Sequence, residues 1–252
     1  MNFIKKTKIV ATLGPASSTE DVIEKMITEG VNVFRINFSH ADYVDVSDRI
    51  KMIRRVDKKL NTNTSILADL QGPKLRVGKM EEGAFVNTGD QVIFLTDAPF
   101  VGDSKKAYMN YKNFPKDVSA GERILLDDGK LIFEVISTNK ENRVIVKVIQ
   151  GGLFKSNKGV NLPNTKISLP ALTEKDIKDA EFIFTQDVDW IALSFVRFSQ
   201  DLIDLKKLME KYTDEKIPII AKIEKPEALE NIDKIIAHCD GLMVARGDLG
   251  VE

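Results

Sequence analysis

The chain has 252 residues with 37 basic and 38 acidic side chains, a net charge of −1, two histidines and one cysteine. That balance gives no reason to expect nucleic acid or an anionic membrane as the main partner, and no apolar run is long enough to cross a bilayer. Cys239 has no second cysteine to pair with, and Met1 to Lys6 leads straight into a strand with no secretory h-region, so the expectation is a soluble cytoplasmic protein.

The first 70 residues alternate strand and helix. Residues 8–13 form a β-rich apolar run closed by Gly14 and Pro15. Ser17 and Glu20 stand at capping-box spacing, which predicts a helix carrying Val22, Ile23, Met26 and Ile27 and ending near Gly30. A strand over 31–39 precedes a helix over 42–60, where Val46, Ile50 and Ile53 recur at helical spacing, and a third strand covers 65–70. Such alternation argues for a parallel sheet or barrel with right-handed crossovers.

From Gly72-Pro73 to about Ser168 the pattern changes. Short β-like runs at 74–78, 91–96, 123–126, 131–137 and 143–150 are separated by turn residues, among them Gly89, Asp127-Asp128-Gly129 and Gly151-Gly152. They predict a small antiparallel barrel. After Pro170 the alternation resumes with a helix from Thr173 to about 186, a strand over 188–196, a helix over 199–211, a strand over 218–224, a helical stretch over 226–238 and a strand over 241–248. The fold class is therefore α/β: an incomplete TIM (β/α)8 barrel, residues 1–71 and 170–252, with an inserted all-β lid domain, residues 72–169. Six barrel strands stand where eight close the fold, and two open edges are an aggregation liability. The chain is accordingly expected to be the front part of a longer protein.

Two late strands place charge at the ends of apolar runs. Lys222 and Glu224 alternate onto one face of the first, and Arg246 and Asp248 onto one face of the second. Two carboxylates and an ammonium fit a divalent cation with a phosphorylated ligand, although a buried Lys222–Glu224 pair of structural value remains the alternative. Gly247 permits close backbone approach, and the amides that follow begin a loop suited to anions. Arg35, Asn37 and Ser39 fall at i, i+2 and i+4, a polar row that suits the catalytic mouth of a barrel. Asp69 ends the third strand and is either a site residue or an ordinary strand-end acid. Arg76, beside the border of the insert, is a candidate phosphate clamp or a surface arginine. Asp127-Asp128-Gly129 reads at least equally well as a turn. His40 and His238 form no metal-ligand cluster, and Cys239 reads as a core thiol. There is no Walker-type loop and no dinucleotide glycine fingerprint.

Taken together, residues 8–17, the stretch from Asn32 to His40, the stretch from Asp69 to Arg76, Ala221-Lys222-Ile223-Glu224 and the stretch from Met243 to Glu252 resemble the pyruvate kinase family, in its order and approximate spacing. The resemblance implies phosphoryl transfer from phosphoenolpyruvate to ADP, giving pyruvate and ATP. It implies that Glu224 and Asp248 bind Mg²⁺ or Mn²⁺, and that Lys222 neutralises the phosphoryl group in flight and the developing enolate. It makes Arg35 and Arg76 phosphate-binding and catalytic arginines, puts the substrate carboxylate at the backbone of Gly247 and Asp248, and places Pro15, Asn37, His40 and Arg76 near the nucleotide. Asn37, Ser39 and Asp69 match ligands of a monovalent cation.

Family members that need K⁺ carry a hydroxyl residue and a glutamate where this chain has Leu70 and Lys74. The resemblance is thus to members that work without K⁺, with the Lys74 ammonium as the substitute charge. The family's threonine near the enolate carbon lies on a later strand. The family is usually tetrameric, so a homotetramer is expected for the full-length protein, and an inactive fragment for this stretch alone. The competing readings are another Mg²⁺-dependent barrel enzyme of pyruvate or phosphoenolpyruvate, such as an aldolase, and a fragment that binds ligand without catalysis.

Overall fold

A computed structural model describes residues 6–163 and 165–250. The expected lead from residues 1–5 into the first strand lies outside the described residues. The chain divides into two compact units, Met1–Gly72 with Ala171–Ile223 and Glu227–Val244, and Pro73–Pro170 with the short segments Glu224–Pro226 and from Ala245 onward.

In the first unit, β1 (Val10–Thr12) is followed by a 3-10 turn at Pro15–Ser17 and α1 (Glu20–Thr28). The helix is capped at Thr19, not Ser17. The Ser17 hydroxyl instead accepts from the Gly14 amide at 2.9 Å and closes the 3-10 turn. β2 (Val33–Asn37) is shorter than expected, because the Asn37 side chain accepts the Ser39 amide at 3.0 Å and turns Phe38–His40 into a 3-10 turn. α2 (Tyr43–Leu60) starts on Asp42, whose carboxylate accepts the amides of Val44 and Asp45, and ends at Asn61 in the left-handed conformation (φ 53°). β3 spans Ser65–Asp69.

The inserted unit holds β4 (Phe85–Val86), β5 (Gln91–Leu95), β6 (Lys106–Tyr108), the single turn α3 (Phe114–Asp117), β7 (Arg123–Leu126), β8 (Leu131–Thr138), β9 (Arg143–Gln150), β10 (Gly152–Leu153) and β11 (Val160–Asn161). Its main sheet runs β11-β7-β8-β9-β5-β6. All pairs are antiparallel except β5 and β6, which run parallel, a departure from the fully antiparallel expectation. Residues 74–78 form no strand, but they bond to both edges of this sheet. Leu75 carbonyl accepts the Val160 amide at 3.0 Å, and the Gly78 amide donates to Tyr108 carbonyl at 2.8 Å. The segment thereby closes the sheet into the small barrel that alternating Val92, Phe94, Phe133, Val135, Val144, Val146 and Val148 fill. Phe94 packs edge-on against Phe114 and Phe133.

The first unit continues with α4 (Glu174–Ile183), opened by a reciprocal Thr173–Asp176 capping box, then β12 (Trp190–Leu193), α5 (Ser199–Met209), β13 (Ile219–Ile223), α6 (Pro226–Glu230), α7 (Ile232–Ile236) and β14 (Gly241–Val244). A last turn, α8 (Arg246–Leu249), follows. The six strands form one all-parallel sheet in the order β1-β2-β3-β12-β13-β14. Phe34, Ile36, Ile66, Ala68, Ile191, Leu193, Ile219 and Ala221 are buried on one face, and Ile23, Ile53, Val56, Ala180, Ile183, Leu202 and Leu205 are among the buried residues of the crossover helices. Val10 and Val244, on the end strands, are exposed. This is an α/β fold, an incomplete (β/α)8 barrel carrying an inserted all-β unit.

Candidate active site

The opposite face of the parallel sheet carries the charged side chains. Its register places Thr12 beside Arg35 and Arg35 beside Leu67, then Asp69 beside Ala192, Ala192 beside Ile220, and Lys222 beside Met243. Strand alternation therefore puts Thr12, Arg35, Asp69 and Lys222 on one face. At the N-terminal ends of the strands this face is mostly apolar, lining a cavity of about 380 Å³ with Val10, Val33, Leu67, Trp190, Ile220 and Met243. At the C-terminal ends it turns polar, which is the end at which (β/α) folds place their active sites.

Asp69 is the centre of this polar end. Its carboxylate is 1% exposed and accepts from Arg35 Nε at 2.6 Å. Lys222 Nζ lies 3.3 Å from Oδ1 and 3.4 Å from Oδ2. Arg35 also reaches Thr12 Oγ1 at 3.0 Å, and Lys222 reaches Ser194 Oγ at 2.8 Å. One carboxylate thus holds two cations, and the cluster carries a surplus positive charge. Such a surplus suits an anionic ligand. Thr12 and Ser194 were not singled out from the sequence. The signal was available, since both stand at the C-terminal ends of strands, but a lone hydroxyl gives no pattern until the register is known.

The remaining expected residues are dispersed among several elements. Glu224 lies one residue past β13 and is 1% exposed. Asp248 is not on a strand with Arg246 as expected. β14 stops at Val244, and the amides of Leu249 and Gly250 close a helical turn onto Ala245 and Arg246 carbonyls. Asp248 sits in that turn, half-buried. Carboxylates such as Glu224 and Asp248 are the donor type that suits Mg²⁺, a hard cation that takes one or two of them and completes its shell with water and substrate oxygens. A Cβ at Gly247 would meet no protein atom within 4 Å, so packing does not require glycine there.

Pro15 is exposed at the start of its 3-10 turn. Asn37 is exposed and tied to the Ser39 amide, and Ser39 leaves the strand face predicted for it. The side chain of His40 lies outside the described residues. Arg76 Nη1 donates to Asn157 carbonyl at 2.9 Å inside the β unit. Leu70 is a core residue, and its carbonyl accepts the Ser194 hydroxyl at 2.6 Å. Lys74 is exposed, and its carbonyl faces Asn110 Nδ2 at 3.4 Å. Asp127 and Asp128 form a turn with φ of 52° and 58°. The Asp127 carboxylate is held 2.9 Å from Lys158, and that contact lowers its pKa. His238 Nδ1 lies 2.9 Å from Lys234 carbonyl. Cys239 is half-buried rather than a core thiol, and desolvation raises its pKa.

Residues 4–252 match the family model described as pyruvate kinase, barrel domain. A pyruvate kinase of Staphylococcus saprophyticus is 44% identical over 250 residues, covering 99% of this chain and 43% of that protein. One from Corynebacterium glutamicum is 44% identical over 248 residues, covering 98% of this chain and 52% of that protein. One from Geobacillus stearothermophilus is 42% identical, with 98% and 42% covered. The chain spans about half the length of the curated relatives it matches.

Proposed function

The chain belongs to the pyruvate kinase family, and on that premise we propose that it is the N-terminal portion of an enzyme that transfers the phosphoryl group of phosphoenolpyruvate to ADP. The observation that carries this reading is the Arg35–Asp69–Lys222 cluster at the C-terminal end of the parallel sheet. Phosphoryl transfer needs positioning and charge neutralisation more than covalent chemistry. In this reading the Arg35 guanidinium binds the phosphoryl oxygens. The Lys222 ammonium stays beside the phosphoryl group as the bond to the enolate oxygen breaks and the bond to the β-phosphate of ADP forms, and it neutralises the enolate left behind. Glu224 and Asp248 hold Mg²⁺ or Mn²⁺, which when bound supplies further positive charge to the phosphate and enolate oxygens. Backbone amides at Gly247 and Asp248 take the substrate carboxylate. Pro15, Asn37, His40 and Arg76 serve the nucleotide. In this reading the family's threonine near the enolate carbon lies on a later strand.

The same proposal has barrel segments 1–71 and 170–252 with a lid domain at 72–169, a homotetrameric full-length protein in the cytoplasm, and no activity from residues 1–252 alone. It includes independence from K⁺. Two of the expected cation ligands already have internal partners: Asn37 Oδ1 accepts the Ser39 amide, and Asp69 is held by Arg35 and Lys222. The test is ADP-dependent pyruvate release by the full-length protein with Mg²⁺. Absence of release under those conditions, or release by residues 1–252 at a rate within about tenfold of full length, overturns the corresponding part.

A further inference from the structure

We propose that Ser194 is the positioning residue for the Lys222 ammonium, an inference that rests on the catalytic role given to Lys222 above. Ser194 is buried just past the end of β12. A protonated lysine has no lone pair and donates only. The 2.8 Å contact therefore makes Ser194 Oγ the acceptor of a Lys222 proton, and its own single proton goes to Leu70 carbonyl at 2.6 Å. The hydroxyl rotor is thereby fixed, with its lone pairs on the Lys222 side. A hydroxyl already donating to a carbonyl is also the stronger acceptor, since chained hydrogen bonds polarise one another. The contact with Ser194 is shorter than either contact of Lys222 with Asp69, at 3.3 and 3.4 Å. Asp69 supplies the opposite charge, and Ser194 supplies the direction.

The backbone around Ser194 is held in an unfavourable form, which adds an independent observation. Phe195 has φ of 54°, a left-handed conformation that a phenylalanine seldom adopts. Such residues persist where their surroundings over-determine them, commonly at functional sites. Here the surroundings include Gly72, at φ 70°. A Cβ on Gly72 would lie 2.8 Å from the Phe195 ring and 2.9 Å from Ser194 Cβ. The Gly72 amide is itself fixed by the buried Asp176 carboxylate at 3.0 Å. The ends of β3 and β12 are thus packed backbone against side chain with no slack, and Ser194 Oγ cannot drift from the place where Lys222 meets it.

The experiment is a double-mutant cycle in the full-length enzyme. Ser194→Ala should lower kcat about 10- to 100-fold, the range for a lost hydrogen bond to a charged group, and leave KM for ADP within about twofold. In the Lys222→Met background the same change should have no further effect, because the group it positions is gone. An equal factor in both backgrounds makes Ser194 a structural hydroxyl and overturns the proposal. If Ser194→Ala does not fold, Ser194→Cys fills nearly the same space with a weak acceptor and should show the same loss. A crystal structure of either variant reads the position directly: Lys222 Nζ should leave its place beside the residue-194 side chain, and an unmoved Nζ overturns the proposal whatever the activity. An unaltered kcat in Lys222→Met alone sinks the catalytic reading of Lys222. The crystallographic result still decides whether Ser194 positions it.

Discussion

Asp69 Oδ1 and Lys222 Nζ, 153 residues apart in the chain, lie 3.3 Å apart, while Oδ2 of the same carboxylate takes Arg35 Nε at 2.6 Å. β3 therefore supplies the anion that keeps cations from β2 and β13 together. Without it, two like charges would face each other in a site with little water to screen them. The arrangement explains how two cations can share this end of the sheet without a ligand between them.

Asp69→Asn tests this relationship, since it keeps the shape and removes the charge. Breaking a buried ion pair from one side costs about 3–5 kcal/mol. The full-length variant should melt several degrees lower and lose at least about a hundredfold in kcat/KM for phosphoenolpyruvate. A melting temperature and kcat/KM both matching the parent would mean that Arg35 and Lys222 are placed by other contacts.

Lys222→Met probes the ammonium itself. It should remove most of kcat, a term of about 3–4 kcal/mol at comparable sites, and leave the concentration of Mg²⁺ needed for half-maximal activity nearly unchanged. Steady-state kinetics across a Mg²⁺ titration separates the two. An unchanged kcat would return Lys222 to a structural partner of Asp69.

The parallel alternation was legible in the sequence because the hydrophobic period repeats the same unit, as at Val46, Ile50 and Ile53, and a helix start is written at Thr173. The strand ends were not. Nothing local in the run from Asn32 to His40 shows that Asn37 will cap a 3-10 turn and pull Ser39 off the strand, and nothing before Arg246 shows that β14 stops at Val244. The first change comes from the Asn37 side chain taking the Ser39 amide and the second from backbone bonds of Leu249 and Gly250, and a hydrophobic pattern encodes neither. Lys222 was legible because a charge at the end of an apolar strand is costly without a purpose, and Arg35 because it stands in a polar row with Asn37 and Ser39, whereas Asp69 read equally as an ordinary strand-end acid until the fold set it between the two cations. Ser194 was not, because a serine in that place costs nothing visible until the register brings Leu70 carbonyl and Lys222 to its two sides.

In the β unit, Tyr111 donates to Asp117, and the Ser168 amide donates to both, at 3.1 Å to the phenol and 2.8 Å to the carboxylate. Burial first, and then the bond to Asp117, push the Tyr111 phenol up to about 12. A raised folded pKa gives stability that is fully present below the unfolded value, about 10, and is lost as pH rises through the folded one. Tyr111→Phe should therefore melt lower than the parent at neutral pH, and the gap should shrink from about pH 10 to about pH 12. Thermal unfolding of the full-length pair across that range checks it. A gap that stays constant with pH would mean the phenol contributes by packing alone.

The last prediction concerns monovalent cations. The Leu70 side chain is buried and can ligate nothing, and its carbonyl is engaged by Ser194 at 2.6 Å. Asp69 already carries two protein cations, so a K⁺ ion there would be repelled by Arg35 and Lys222 in a poorly screened site. Activity of the full-length enzyme with Mg²⁺ in buffer free of Na⁺ and K⁺ should therefore be close to that in K⁺. Lys74→Glu with Leu70→Thr restores the glutamate and the hydroxyl residue that K⁺-dependent members of the family carry at these two places, and should create K⁺ dependence. Leu70→Thr also puts a polar group into the core, so the double variant should melt lower by several degrees. Activation must accordingly be judged as the ratio of rates with and without K⁺ at a temperature where both proteins are folded. A strong K⁺ requirement in the unmodified enzyme would restore Asn37, Ser39 and Asp69 as a working cation site. It would also mean that the Arg35–Asp69–Lys222 contacts rearrange when the ion binds.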